Sequence, residues 1–157
     1  MTKLKITPQV LTNIVKTCQK FSSDEWSDVA FYTIKDKNVP VADMEMTLVD
    51  FYPASVDTAT STGFDYEGKH VMYMMDKEGS WEMGHIHSHN KMQVFFSQTD
   101  INDLRDSSPY FHILLSVVVN NESKICAKVA QTVTQKTIKV VKNFDGSTKE
   151  IETNTLS

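Results

Sequence analysis

Two apolar segments near the middle of the chain, residues 111–119 and 125–133, are separated by the five polar residues 120–124. β-Branched and aromatic residues are frequent in both segments, and a short polar connection between two such segments is typical of an antiparallel hairpin. Any fold of this chain therefore has to contain a β-hairpin at this place.

The segments that precede the hairpin show helical and strand patterns in turn. Thr7 and Pro8 suit the N-cap and first residue of a helix whose apolar residues recur at helical spacing as far as Phe21. Strand patterns occupy 29–34, part of 39–52, and 81–89, and Ser97 precedes a further helix. A short methionine-rich helix is predicted at 67–77, with its methionines filling the core. A second hairpin is predicted from 137–141 and 149–153.

This order of elements, helix, strands, helix, strand, helix and hairpin, predicts an α+β fold, specifically an α/β sandwich. The chain has 157 residues, which is enough for one domain to bury roughly two-thirds of its unfolded surface. We expect a single domain over 1–157, with a core at about 5–133 and a C-terminal hairpin or tail at 134–157.

Composition and charge exclude several classes of protein. The net charge is -4 and there is no stripe of Lys and Arg, which argues against nucleic-acid binding because phosphates require clustered positive charge. No apolar run approaches the ~18 residues of a membrane span, and the first residues lack the apolar stretch of a signal peptide. Cys18 and Cys126 form no disulfide framework and no CxxC pair, so we expect a cytoplasmic protein without cysteine metal ligands.

Three of the five histidines, His85, His87 and His89, lie within five residues. Side chains at positions i and i+2 of a strand point to the same face, so His87 and His89 converge as two zinc ligands must. Asp100, in the first turn of the next helix, can supply a third ligand and leave the fourth tetrahedral position open for water. An open position is typical of a catalytic zinc, so the pattern predicts one catalytic Zn²⁺ per chain.

The spacing His-x-His, seven residues, Ser, two residues, Asp is met by His87, His89, Ser97 and Asp100. It resembles the signature of the JAMM (MPN-plus) zinc metalloproteases, and Gly84, three residues before the first histidine, fits that signature too. The chain looks most similar to compact prokaryotic or phage-borne members, over about residues 5–133. The resemblance implies a central mixed β-sheet flanked by helices, the cytidine-deaminase-like MPN fold, and a zinc-dependent peptidase or isopeptidase.

The resemblance also implies roles for individual residues. A glutamate between the first helix and the first strand is the general base of such enzymes, and Glu25 occupies that place. The run that follows Glu25 differs from the family's Gly-x-Leu-type run, which leaves Glu45 as the alternative base. Ser97 would hydrogen-bond the oxyanion of the reaction. Asn90 stands where the family has proline after the second histidine, a departure that removes no ligand.

The resemblance further implies a protein or peptide substrate. The chain is too short for the long insertions with which ubiquitin-chain-specific relatives hold their substrate. We therefore expect a flexible tail, a small ubiquitin-like or sulfur-carrier protein, or a short peptide crosslink. Such a substrate is expected to pair with a strand edge near the zinc, with Trp81, Phe95 and Phe96 as candidate contacts.

Some of these candidate site residues, and the proposed activity, also have other interpretations. Ser97 and Asp100 also form a capping box, Ser-x-x-Asp, which needs no metal. His85 can support a ligand, act as one, or, as is more usual, be an exposed strand histidine. A non-catalytic scaffold of the same fold is the alternative function. A cupin-type oxygenase is disfavoured, because it would need a glutamate that residues 90–96 lack.

Overall fold

A computed structural model describes residues 1–53, 68–75, 77, 80–110, 113–131, 134–142 and 148–156. Its helices are α1 (Pro8–Lys20), α2 (Gly68–Met75) and α3 (Gln98–Ser107), with 3-10 turns at Val41–Asp43 and Ser108–Tyr110. None of the helices in this part of the chain is both long and apolar enough to cross a membrane. Its strands are β1 (Lys3–Ile6), β2 (Ser27–Ile34), β3 (Glu45–Phe51), β4 (Glu82–Ser88), β5 (Leu114–Val119), β6 (Ile125–Ala130), β7 (Thr134–Lys142) and β8 (Thr148–Leu156).

Six of the strands form one mixed sheet in the order β1-β3-β2-β4-β5-β6, while β7 and β8 pair with each other. β1 is parallel to β3 and β4 is parallel to β5, whereas the other neighbours in this sheet are antiparallel. All six residues of β5 are buried, as expected for a strand that is covered on both faces. The chain thus has the predicted α+β fold.

Helix α1 covers one face of the sheet because its apolar residues recur every four positions. The hydroxyl of Thr7 accepts the backbone N–H of Val10 at 3.3 Å, and Pro8 lies in the first turn, which together fix where the helix begins. Val10, Ile14 and Cys18 are buried in a core cluster that also contains residues of β2, β3, β4 and β5. The predicted first helix is confirmed.

Helix α2 packs on the opposite face of β2, where Phe31 stacks on Tyr73 with ring centroids 5.4 Å apart. The prediction that the methionines of this helix fill the core is wrong, because Met72 and Met75 are 70% and 74% exposed. Apolar residues occur on every side of this short helix, so their spacing could not indicate which side is buried. The buried residue is His70.

The predicted hairpins are both confirmed, the first by β5 and β6 and the second by β7 and β8. The residues that connect β7 to β8, 143–147, lie outside the described residues. The pattern within 39–52 produces one strand, β3, after a 3-10 turn. Strand β1 was not predicted.

Candidate metal centre

The histidine segment lies where the parallel strands β4 and β5 end and the antiparallel strand β2 begins. His87 pairs with Ser27 of β2 on one side and with Val118 of β5 on the other. His89 directly follows β4, and its backbone N–H donates to the carbonyl of Val119 at 2.8 Å. Ligand sites commonly lie beyond the carboxyl ends of parallel strands, because the loops there converge.

His87, His89 and Asp100 each bring one ligand atom to a common point, and these atoms lie within 4.8 Å of one another. The two histidine Nε2 atoms are 3.3 Å apart. They lie 3.2 Å and 3.3 Å from the Oδ1 and Oδ2 atoms of Asp100, respectively. A tetrahedral ion with bonds of about 2.0–2.1 Å needs ligand atoms about 3.3–3.4 Å apart. These three side chains can therefore hold a metal ion.

Hydrogen bonds from outside the triad orient two of its members. Nδ1 of His89 lies 3.1 Å from the carbonyl oxygen of Gln93, so Nδ1 carries the proton and Nε2 presents a lone pair. The backbone N–H of Ser97 donates to Oδ2 of Asp100 at 2.9 Å, and the N–H of Asp100 donates to Oγ of Ser97 at 3.1 Å. The predicted capping box is thus present, and it fixes the carboxylate that faces the histidines.

The charges of the triad favour a bound cation. With the Nδ1–H of His89 donated to Gln93, Nε2 turns its lone pair towards Oδ2 of Asp100 at 3.3 Å, so two acceptors face each other unless a cation lies between them. Burial lowers the pKa of His87, although the charge of Asp100 opposes this effect. Burial alone would raise the pKa of Asp100, but the Ser97 backbone N–H and the charge of His87 hold it below its ordinary value. Neutral histidines and an ionised carboxylate are the forms that ligate metals.

Glu25 lines the same cavity as the triad, a cavity of about 230 Å³. The antiparallel register explains this position. Ser27 pairs with His87 in the antiparallel pair of β2 and β4. When this register is continued by two residues beyond Ser27, Glu25 lies opposite His89. Glu25 is half-buried and lies in the loop that connects α1 to β2.

Ser97 also lines this cavity. Its Oγ accepts the backbone N–H of Asp100, which leaves the hydroxyl proton available as a donor. Glu45, the alternative base, is not among the residues that the structure places around this cavity. Glu45 begins β3, where its carboxylate forms an ion pair with Lys35 at 3.2 Å.

Asn90 has a left-handed backbone conformation with φ 57°. Proline, which the JAMM pattern has at this place, holds φ near about -65° and cannot adopt it, whereas asparagine tolerates it. The N–H of Asn90 donates to Oγ of Ser88 at 3.3 Å, and its carbonyl accepts the N–H of Asn121 at 2.8 Å. Proline at position 90 would therefore not fit this loop conformation.

The structure describes two of the remaining histidines, and neither belongs to the ligand cluster. His85 is buried, so the expectation of an exposed strand histidine is wrong. Burial, with a smaller contribution from the charge of His87, lowers the pKa of His85 to about 3. His70 is buried against Asp28, with Nε2 3.5 Å from Oδ1. His112 lies outside the described residues.

Of the three aromatic residues expected to contact a substrate, the structure places Phe95 at the site. Its ring meets that of His89 edge-on with centroids 4.9 Å apart, and it lines the cavity. The ring of Phe96 lies 5.6 Å from Nζ of Lys128. Trp81 precedes β4, six residues or roughly 20 Å from His87 along the strand, and packs against Phe31 instead. The expectation for Trp81 is therefore wrong.

Sequence reasoning missed Met92 and Asp103, which line the cavity, and Asn121, which contacts the loop after β4. For Asp103 a signal existed, because it follows Asp100 by three residues and shares its side of the helix. Met92 and Asn121 carry no comparable signal, because their positions depend on contacts between distant loops.

Comparisons with known proteins find a similar fold but no matching family. No family model matches the chain, and no curated protein matches it. Among solved structures, it is similar to the solution structure of protein DSY2949 from Desulfitobacterium hafniense, a structural genomics target. The TM-score is 0.51 at 14% sequence identity, and the match covers 97% of this chain and 90% of that chain. At this identity the similarity shows a shared α+β fold alone.

Proposed function

We propose that the protein is a zinc-dependent peptidase or isopeptidase of the JAMM type, with the cytidine-deaminase-like arrangement of MPN enzymes. The observation that carries the proposal is that Glu25 and Ser97 line one cavity with the three ligands His87, His89 and Asp100. The JAMM-like spacing suggests the class of reaction, and the geometry suggests the role of each residue.

The donor set suits zinc. Two imidazole nitrogens and one carboxylate oxygen without a thiolate are typical of catalytic zinc sites, and three protein ligands leave one position open. When bound, zinc would polarise the scissile carbonyl and lower the pKa of water towards about 7. His87, His89 and Asp100 would hold the ion, and the Gln93 carbonyl would keep His89 in the ligating tautomer.

Glu25 would accept a proton from the attacking water and return it to the leaving amine. This role is supported by the position of Glu25, which lines the cavity opposite His89 in the register of β2 and β4. A general base has to reach the water by a hydrogen bond of about 2.6–3.2 Å, and a carboxylate that lines the same cavity as the ligands can approach that water. Glu45 has no such access, since it is paired with Lys35 on β3.

Ser97 would donate its hydroxyl proton to the negative charge that develops on the substrate carbonyl oxygen. The N–H of Asp100 holds its oxygen, so the donor is positioned before the substrate arrives. Such preorganised donors typically contribute about 10²–10³ in rate. We propose as substrate a flexible tail, a small ubiquitin-like or sulfur-carrier protein, or a short peptide. Both cysteines are free thiols, which suits a reducing, cytoplasmic location.

Metal analysis of the purified protein, followed by hydrolysis of a panel of tail-fused proteins and peptides, tests the proposal. We expect about one zinc per chain, and loss of tight binding in His87→Ala and in Asp100→Ala. Asp106→Ala is the matched control, because Asp106 lies on the same helix with its side chain 72% exposed. Stoichiometric zinc in both ligand variants would show that the ligands are assigned wrongly.

Glu25→Gln should keep zinc and fold but lose most hydrolysis, by about 10²-fold or more, because a carboxamide cannot accept the proton. Glu45→Gln should retain activity. Zinc binding without any Glu25-dependent hydrolysis would favour the non-catalytic scaffold.

A further inference from the structure

We propose that the cavity beside the metal ligands contains a subsite for a lysine or arginine side chain of the substrate, formed by Met92, Phe95 and Asp103. The inference rests on the proposed function, since it names the substrate that the same site selects. The subsite consists of lining residues that have no part in the proposed hydrolysis.

The first observation is the exposure of large apolar side chains at the cavity. Met92 and Phe95 line it while 51% and 48% exposed. The edge-on contact with His89 keeps the Phe95 ring beside a metal ligand. An apolar surface that is half exposed next to a reactive centre gains free energy when a substrate side chain covers it.

The second observation is the charge of the cavity. Asp103 lines it three residues after Asp100 on α3, and no lysine or arginine is among the lining residues that the structure describes. Within the same part of the chain, no ion pair joins Asp103 to a cation, whereas Asp106 is paired with Arg105. A carboxylate so placed favours a cationic group over a neutral or anionic one.

Lysine and arginine combine the two properties that this surface requires. Each carries an aliphatic stem that can lie along Met92 and the Phe95 ring, and a charged head that can reach Asp103. A purely apolar side chain would cover the aromatic ring but leave Asp103 partly desolvated without a partner. A glutamate side chain would meet the charges of Asp103 and Glu25. The cavity volume of about 230 Å³ equals roughly eight water molecules, which is room for one long side chain.

The test measures binding rather than turnover. Zinc-loaded Glu25→Gln protein is titrated with the capped pentapeptides Gly-Gly-Xaa-Gly-Gly, in which Xaa is lysine, arginine, glutamine, leucine or glutamate. The lysine and arginine peptides should bind about tenfold more tightly than the glutamine and leucine peptides, as expected for one charge-assisted contact. The glutamate peptide should bind most weakly. Equal binding of all five peptides, or binding of none, would overturn the subsite.

Two further variants assign the preference to Asp103. Asp103→Asn should remove the preference for the lysine and arginine peptides, and Asp103→Lys should reverse this preference towards the glutamate peptide. The control Asp106→Asn should leave the preference unchanged. A lysine preference that survives in Asp103→Asn would overturn the assignment. Hydrolysis assays on the zinc-loaded wild type, run beside the titration, separate this inference from the proposed function. Peptide preference without any hydrolysis by the wild type contradicts only the proposed function, and hydrolysis without preference contradicts only the subsite.

Discussion

Asn121 and Asn90 are joined by two hydrogen bonds, from the side-chain amide of Asn121 to Oδ1 of Asn90 at 2.9 Å and from its backbone N–H to the Asn90 carbonyl at 2.8 Å. The same amide group donates to the carbonyl of Ser22 at 2.8 Å. The turn between β5 and β6 thereby connects the loop that follows His89 to the loop that carries Glu25. These contacts hold together the two loops that meet at the metal centre.

Replacing Asn121 should therefore loosen both loops. In Asn121→Ala the Ser22 carbonyl and the Asn90 side chain lose a donor, which should lower the free energy of unfolding by about 1–3 kcal/mol and weaken zinc binding severalfold. Urea unfolding and zinc competition with a chelator measure the two effects. Asn121→Asp keeps the shape but replaces the donor with an oxygen, so it should be at least as damaging. Wild-type stability in that variant would contradict the role of the amide.

Gly84 is predicted to be irreplaceable for a steric reason. A Cβ atom there would lie 2.8 Å from Cε1 of Tyr32 and closer still to the carbonyl oxygen of Leu115. The Tyr32 hydroxyl crosses β4 at this point to accept the N–H of Leu115 at 3.3 Å. Gly84→Ala should thus cost about 3 kcal/mol of stability, measured by urea unfolding. Gly68→Ala is the control, because nothing lies within 4 Å of its Cβ position, and it should be neutral or slightly stabilising.

Local patterns predicted those elements whose signal lies within a few residues. Helix α1 has its cap and its four-residue apolar spacing, and the β5–β6 hairpin has two apolar segments around a polar turn. The triad could be predicted because His87 and His89 share a strand face and Asp100 begins the next helix. Strand β1 could not be predicted, because it has only four residues and pairs in parallel with β3, about forty residues away. No tight turn joins such a pair, so the sequence contains no turn signal for it. The contacts of Asn121 depend on how distant loops meet, which spacing along the chain does not encode.

Because Asp28 is buried beside His70, we expect the free energy of unfolding to depend on pH. Burial raises the pKa of Asp28 to about 6 from 3.8, against the lowering effects of the Val29 backbone N–H and the charge of Lys69. The folded state therefore binds the carboxyl proton of Asp28 more tightly than the unfolded state does. The free energy of unfolding should fall as pH rises from about 4 to about 6, by roughly 3 kcal/mol in total from this group.

Asp28→Asn should remove this contribution, so the variant should gain stability relative to the wild type as pH rises from about 4 to 7. Urea unfolding of both proteins at four pH values, after removal of metal with a chelator, measures the difference without a contribution from zinc release. Asp106→Asn, a change of an exposed carboxylate on α3, should follow the wild type. A constant difference between Asp28→Asn and the wild type across this range would contradict the burial of a proton-binding carboxylate.

Access to the candidate metal centre would limit how the proposed substrate binds. β4 has β2 on one side and β5 on the other, so an extended substrate could not pair with the strand that carries His87 and would need an edge of the sheet instead. A single 3-10 turn, Ser108–Tyr110, follows α3 before β5 begins at Leu114. The described residues of this connection, 108–110 and 113, provide little surface beside the cavity for a folded partner. We expect the binding energy to come from the cavity itself, through residues such as Phe95.

We therefore expect the isolated protein to cleave linked di-ubiquitin poorly or not at all, and to act on flexible tails or short peptides. Specific recognition of the folded part of ubiquitin would need an interface of about 1,000 Å² or more, far beyond the few side chains that line the cavity. A ubiquitin-like or sulfur-carrier substrate would therefore be held by its flexible tail. The experiment compares zinc-loaded wild type with Glu25→Gln on di-ubiquitin and on tail-fused substrates, with products followed by mass spectrometry. Efficient Glu25-dependent cleavage of di-ubiquitin would show that recognition extends well beyond the cavity and would overturn this prediction.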